Sequence, residues 1–222
     1  MSGTHVRPAV DLGPPTPYGW PVAASTGNFR LGPDTGRVVI KTSRAGLAAK
    51  AGHDLTIEVT RWSAQVDVPA EEDGGVAAAT VSAELDLGSL EVREGTGGAM
   101  PLTDRDRREI KKQMAGILGG GAASFASSRI IPAGSRPDPG GTTPPSPSAA
   151  GGAIEGTVTL NGKSQPARLQ VTDSGSGRYR GSATLAQTGF GIKPYSGFFG
   201  ALKLRDEVVV EFEVDLSKAE AS

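Results

Sequence analysis

Apolar and polar residues alternate along most of the chain from Gly36 onward. The last run shows the pattern most clearly, because every second residue of 208–216 is apolar and three of the four residues between them are acidic. Successive side chains of a β-strand point to opposite faces, so a period of two predicts a strand with one apolar face. About eight such runs occur, and the clearest cover residues 55–60, 62–68, 77–87, 154–160 and 179–185.

Local signals separate these strands and place one helix among them. Thr103 and Asp106 have the spacing of a capping box, apolar residues follow at helical spacing, and the glycines at 119–121 end the helix. Asn161-Gly162 is the preferred pair for a tight hairpin turn, since both positions need positive φ. The runs 55–60 and 62–68 abut, which predicts another tight hairpin. Regularly spaced antiparallel strands of this kind form either a sandwich or a closed barrel.

Small residues at the predicted inward positions favour the barrel. A sandwich core needs large interdigitating side chains, whereas an eight-stranded barrel is wide enough to hold one small ligand. The small inward residues are Ala64, Ala77, Ala79, Ala83, Gly156, Ala167, Gly181 and Ala183. The alternative is that aromatic side chains fill the same space, namely Trp62, Phe125, Phe190, Phe199 and Phe212. We predict an all-β fold, an eight-stranded antiparallel barrel with one substantial helix and a long disordered loop.

Composition shifts along the chain indicate where this domain begins and ends. Residues 1–33 are rich in Pro, Gly and Thr and show no period, which predicts a disordered arm. The barrel domain is expected at 34–217, followed by a short tail at 218–222. Within it, residues 132–153 consist mainly of Pro, Gly, Ser, Thr and Ala, so we expect a flexible loop there. Strand patterns on both sides place this loop inside the domain.

Charge and cysteine content exclude several classes of protein. The formal net charge is −1 and the pI about 6.2, and basic residues are not interleaved with aromatic ones, so we expect no nucleic-acid partner. Cysteine is absent, which excludes disulfides and thiolate metal sites. We expect no transmembrane segment, because no run approaches the roughly 18 apolar residues that span a bilayer. Residues 1–19 lack an apolar signal core, so the expected location is cytoplasmic. A homodimer is compatible with the sequence.

The predicted interior carries almost no charge, because Arg and Lys fall at the polar positions of the strands. A buried anion would find few partners there, so the expected partner is a long apolar or amphiphilic small molecule. No cofactor is expected apart from a bound fatty or similar apolar lipid. The predicted ligand-binding residues are Ile40, Ile57, Val81, Leu85, Phe125, Leu169, Leu185, Phe190, Phe199 and Phe212.

Chemistry-bearing residues are scarce. His5 lies in the arm, so His53 is the one histidine of the predicted domain and cannot form a histidine metal site alone. Asp54 and Ser43 complete a candidate catalytic group, which leaves a lipid-modifying enzyme as a minor alternative. The structural interpretation is favoured, in which His53 binds a loop carbonyl and Asp54 caps a strand. A further alternative is a ligand-free scaffold that recruits a protein partner through the arm and the loop.

Five stretches occur in an order that resembles the YceI-like family. They are Gly-Arg-Val-Val-Ile-Lys-Thr-Ser at 36–43, Ala-Gly-His-Asp-Leu at 51–55, Ser-Ala-Glu-Leu-Asp-Leu-Gly-Ser-Leu at 82–90, Ile-Glu-Gly-Thr-Val-Thr-Leu-Asn-Gly at 154–162 and Thr-Gly-Phe-Gly-Ile at 188–192. The resemblance implies a lipocalin-like barrel that binds polyisoprenoid or other amphiphilic lipid chains, with no established enzymatic activity.

The chain departs from the family pattern in three places. Many relatives are exported, whereas no signal is recognised here. The helix-to-strand junction usually carries a Tyr-Pro-like step, but residues 119–123 read Gly-Gly-Gly-Ala-Ala. The stretch 132–153 has the composition of an insertion. These departures bear on the ligand and the cellular compartment that the resemblance implies. They leave the predicted strand pattern unchanged.

Overall fold

The computed structural model describes residues 26–132 and 151–221. Within them lie one α-helix and one antiparallel sheet of thirteen strands. The strands are β1 (Gly27–Leu31), β2 (Gly36–Ala45), β3 (Asp54–Val59), β4 (Trp62–Val68), β5 (Thr80–Asp86), β6 (Leu90–Thr96), β7 (Ala122–Ile131), β8 (Gly151–Leu160), β9 (Lys163–Asp173), β10 (Arg178–Ala186), β11 (Ser196–Gly197), β12 (Leu202–Asp215) and β13 (Glu220–Ala221). The helix α1 spans Asp104–Leu118.

Seven 3₁₀ segments connect these elements in the described part of the chain. They are Ala49–Ala51, Glu71–Asp73, Gly75–Ala78, Leu87–Ser89, Gln187–Phe190, Phe198–Gly200 and Leu216–Lys218. The segment Gly75–Ala78 corrects the strand predicted from residue 77, since β5 begins only at Thr80 and Ala77 lies before it. Gly74 and Gly75 both have positive φ, which turns the chain away from an extended path.

The sheet is curled, and its strands follow the order β13-β1-β4-β5-β7-β8-β9-β10-β12-β2-β3-β6, with β11 paired to β12. The predicted all-β, antiparallel, lipocalin-like fold with one helix is confirmed. The thirteen strands exceed the eight or so that were predicted, and β1, β6, β11 and β13 are strands that the sequence analysis did not recognise. The first two carry short alternating patterns, and the other two are only two residues long.

The predicted hairpin between residues 55–60 and 62–68 is wrong. β3 pairs with β2 and β6, whereas β4 pairs with β1 and β5. A two-residue hairpin turn needs positive φ, which neither Thr60 nor Arg61 adopts. Ser89 holds this link instead, because Thr60 Oγ1 donates to its carbonyl at 2.8 Å and Arg61 N donates to its Oγ at 2.9 Å. The link therefore connects two distant parts of the sheet.

The predicted boundaries need three corrections. β1 lies inside the predicted arm, where Phe29 and Leu31 are buried against β4. β8 begins at Gly151, inside the predicted loop, and Ala153 is 3% exposed. β13 lies in the predicted tail and pairs with β1. In each case a partner strand orders a segment whose own sequence carries a weak strand signal. The rest of the predicted arm, 1–25, and of the loop, 133–150, lies outside the described residues.

The helix and the turn at Asn161-Gly162 agree with their predictions. Thr103 and Asp106 form both halves of a capping box, and Gly119 ends α1 with φ +69°. Asn161 and Gly162 have φ of +52° and +70° and join β8 to β9. The apolar face of α1 packs against a core of buried residues from β1 to β4 and β6, which comprises Leu31, Val38, Leu55, Ile57, Val59, Trp62, Leu90 and Val92.

Candidate ligand-binding cavity

The inner face of the curled sheet encloses a cavity of about 740 Å³. That volume lies within the roughly 300–1,000 Å³ typical of small-molecule sites. Its wall follows the strand ladders row by row: Ala183, Val210, Ile40 and Ile57 face one another across four strands. The alternation in each strand therefore lines the interior with apolar side chains.

Nine of the ten residues predicted to bind a ligand lie in this wall. They are Ile40, Ile57, Val81, Leu85, Phe125, Leu169, Leu185, Phe190 and Phe212. The placement of Phe199 in the interior is wrong, because its side chain is fully exposed. Phe199 lies in the Phe198–Gly200 turn with φ +54°, and the prediction depended on its place in an aromatic-rich segment rather than on a strand pattern that would determine its face.

The small inward residues divide into two groups. The alanines Ala64, Ala79, Ala83 and Ala183 line the cavity and leave space in it. Gly156 and Gly181 instead receive aromatic rings, since a Cβ at Gly156 would lie 2.6 Å from the Phe125 ring and one at Gly181 would overlap the Phe212 ring. Ala77 and Ala167 are not part of the wall. Small residues thus explain both the empty volume and the position of two aromatic rings.

The helix contributes a part of the wall that the sequence did not assign. Ile110, Met114, Ile117 and Leu118 line the cavity from α1, and Leu102 lines it from the preceding loop. Their helical spacing was visible in the sequence, but it did not reveal which structure that face covers. Met100 and Ile117 line the cavity while remaining 75% and 42% exposed, so the cavity meets solvent beside α1.

Positive charge is absent from the wall within the described residues. The two lining carboxylates, Asp106 and Glu109, belong to exposed residues of α1. Basic residues of the strands form ion pairs on the outer face, as Lys41 does with Glu211 at 2.7 Å and Arg180 with Glu213 at 3.0 Å. The interior therefore offers an apolar chain a favourable environment and offers a buried anion no cationic partner.

Asp106 combines a position at the cavity with a structural role. Thr103 donates to its Oδ2 twice, from Oγ1 at 2.6 Å and from the backbone N at 2.9 Å. These two hydrogen bonds, the side-chain bond first, lower the pKa of the Asp106 carboxyl below its usual value. Asp106 therefore serves the start of α1, directly beside the region where the cavity opens.

The candidate catalytic residues do not form a catalytic group. His53 Nε2 lies 2.8 Å from the carbonyl oxygen of Met100, as the structural interpretation predicted. Asp54 Oδ1 accepts a hydrogen bond from the Arg44 backbone N at 2.7 Å. Ser43 is exposed on the outer face, whereas His53 lines the cavity. His53 and Asp54 therefore support the loop before α1 and the ends of β2 and β3.

The described residues contain neither a candidate metal cluster nor a membrane-spanning helix. No group of three or more His, Cys, Asp or Glu side chains in 26–132 and 151–221 is arranged to hold a metal ion. No helix in the same ranges is long and apolar enough to cross a membrane. The cytoplasmic location and the homodimer stay predictions.

A curled antiparallel sheet around an apolar cavity, partly covered by one helix, defines a lipocalin-like barrel protein. The model of the YceI-like domain matches residues 29–216, and the chain belongs to that family. Among solved structures it is similar to the crystal structure of BcnA from Burkholderia cenocepacia, with a TM-score of 0.52 and 17% identity over 81% of this chain and 94% of that chain. This likeness supports the fold. No curated protein matches the sequence.

Proposed function

We propose that the protein binds, stores or transports an isoprenoid or other long-chain amphiphilic lipid inside the barrel. One observation carries the proposal: a cavity of about 740 Å³ whose described wall is mostly apolar and contains no Lys or Arg. Membership of a family of polyisoprenoid-binding barrels supports the same class of ligand.

Burial of hydrocarbon supplies enough free energy for this function. About 300 Å² of apolar ligand surface, at about 25 cal/mol per Å², corresponds to roughly 7 kcal/mol before ordering costs. That free energy corresponds to a dissociation constant in the micromolar range. Binding therefore needs no ion pair with the protein. The placement of His53, Asp54 and Ser43 favours a carrier over the alternative of a lipid-modifying enzyme.

Displacement of a fluorescent apolar probe by geranylgeraniol tests the proposal. Phenylnaphthylamine is expected to fluoresce in the cavity and to be displaced by the lipid. In a double variant, Ala83→Phe with Ala183→Phe, two phenyl groups enter the cavity from β5 and β10, and we expect uptake to fall at least about tenfold.

A matched control variant places two phenyl groups on the outer face of the sheet. Ala126→Phe with Thr184→Phe changes exposed positions on β7 and β10, and uptake is expected to stay as in the wild type. Equal uptake by the two double variants would contradict the proposal, because binding would then not depend on the interior.

A further inference from the structure

Several polar side chains line the cavity, and among those of the described residues the Thr42 hydroxyl is set apart because it is buried without a hydrogen-bond partner. Thr42 belongs to the same inward row of β2 as Val38 and Ile40, lines the cavity, and is 9% exposed. Its Oγ1 is excluded from solvent and has no hydrogen-bond partner among the described residues. Burying a hydroxyl without a partner costs free energy, since its hydrogen bonds to water are lost and not replaced.

The neighbours of Thr42 explain why the protein supplies no partner. Thr42 faces Leu55 on β3 and Val208 on β12, and the same row continues to Leu185 on one side and Gly95 on the other. None of these side chains carries a polar atom. Threonine has three staggered χ1 positions, and the side chain of Thr42 lines the cavity, so the hydroxyl can meet a ligand there by rotation about one bond.

The row of Thr42 lies near the region where the cavity meets solvent. A Cβ on Gly95 would lie 2.8 Å from Leu102 of the loop before α1 and 3.3 Å from His53. His53 in turn contacts the carbonyl of Met100, the exposed residue at the opening. From this row the apolar wall continues inward through Ile40 and Val38. A ligand whose polar end lies at Thr42 therefore has its hydrocarbon chain against the apolar wall of the cavity.

The charged residues around the row of Thr42 favour a ligand whose polar end is uncharged. Arg44 follows Thr42 by two positions on β2, but its guanidinium already donates to the carbonyls of Gly52 and Thr96, at 3.2 and 2.7 Å, and lies 4.0 Å from Asp54. No Lys or Arg of the described residues lines the cavity. A phosphate or carboxylate placed here would lose its hydration without gaining a cation.

We propose that Thr42 binds the polar end of an uncharged amphiphile whose head is a hydroxyl or carbonyl oxygen. This inference rests on the proposed function and specifies its ligand class. The Thr42 hydroxyl donates to a carbonyl oxygen, or exchanges a hydrogen bond with an alcohol, and thereby gains the partner that the fold does not provide.

The test compares three probes that share one alkyl chain: dodecane, dodecanol and dodecyl phosphate, each measured by displacement of phenylnaphthylamine. Thr42→Val removes the hydroxyl and keeps the shape, so it is expected to weaken dodecanol binding by about three- to tenfold and to leave dodecane binding unchanged. Thr42→Ser keeps the hydroxyl and is expected to retain the preference for the alcohol. Thr184→Val, at an exposed position, is the control.

Wild-type protein is expected to bind dodecanol more tightly than dodecyl phosphate. The role of Thr42 is overturned if Thr42→Val binds dodecanol as tightly as the wild type does, or if the phosphate binds as tightly as the alcohol. Failure of all three probes to enter any variant would instead overturn the proposed function, so the two failures are distinguishable.

Discussion

Phe190 and Phe199 are the same residue type a few positions apart, yet one faces the cavity and the other faces solvent. Phe190 is 4% exposed at the end of the Gln187–Phe190 turn, whereas Phe199 is fully exposed. The difference is set by the backbone, since Phe199 adopts positive φ. At the scale of a single residue, local conformation therefore decides whether an aromatic side chain contributes to the interior.

Truncation of the two side chains is expected to have very different effects. Phe190→Ala removes buried apolar surface and is expected to lower the free energy of unfolding by about 3 kcal/mol. Phe199→Ala, the matched control, is expected to change it by less than about 0.5 kcal/mol. Chemical denaturation measures both values. Comparable losses in the two variants would show that Phe199 is packed and that its assigned conformation is wrong.

Alternation in the strands was sufficient to predict most of the wall. Ile40, Ile57 and Phe212 lie in regular strands, where the period of two determines the face directly. Phe199 lies in a turn, where no period applies. The lack of a partner for the Thr42 hydroxyl was also beyond prediction, because it depends on Leu55 and Val208, which come from other parts of the chain.

At the scale of elements, α1 couples a local capping signal to the cavity. Thr103 and Asp106 close the first turn, and the apolar face of the helix then covers part of the interior. The start of the helix is therefore stabilised by a carboxylate whose ionised form accepts two hydrogen bonds from Thr103. Protonation of Asp106 is expected to loosen this end of the wall.

Asp106→Asn is expected to lower stability in a pH-dependent manner. The folded pKa of Asp106 is lowered by hydrogen bonds from Thr103. The contribution of the Asp106 carboxylate to the free energy of unfolding is therefore fully present above its pKa in the unfolded chain, about 3.9. This contribution is lost as pH falls through the pKa of the folded protein. The stability difference between wild type and variant should be constant from about pH 5 upward and vanish in strong acid. A difference that does not change with pH would contradict this account of the capping box.

The prediction of elements succeeded where the signal was local and failed where pairing was distant. The ends of α1 follow from Thr103, Asp106 and Gly119, all within or beside the helix. The link at Thr60 and Arg61 looked like a hairpin because only its length was visible. The partners that separate β3 from β4 lie on β6 and β1, and proximity in sequence does not reveal them.

The whole molecule combines an apolar interior with ion pairs that lie outside it. Neither feature belongs to one strand, because the residues that line the cavity come from many strands of a single curled sheet. The sequence predicted a barrel with unfilled space from its small inward residues. It did not predict that two of the glycines, Gly156 and Gly181, would be covered by Phe125 and Phe212, because such contacts depend on strand register.

Native mass spectrometry of gently purified protein tests most directly whether the interior holds a lipid. We expect the wild type to carry, or to take up from added geranylgeraniol, one apolar or amphiphilic molecule that is released on denaturation. The variant with Ala83→Phe and Ala183→Phe is expected to carry none. Two results would contradict the assignment of the cavity as a lipid site. One is a wild-type protein that remains empty in the presence of the lipid, and the other is a double phenylalanine variant that binds the lipid as well as the wild type does.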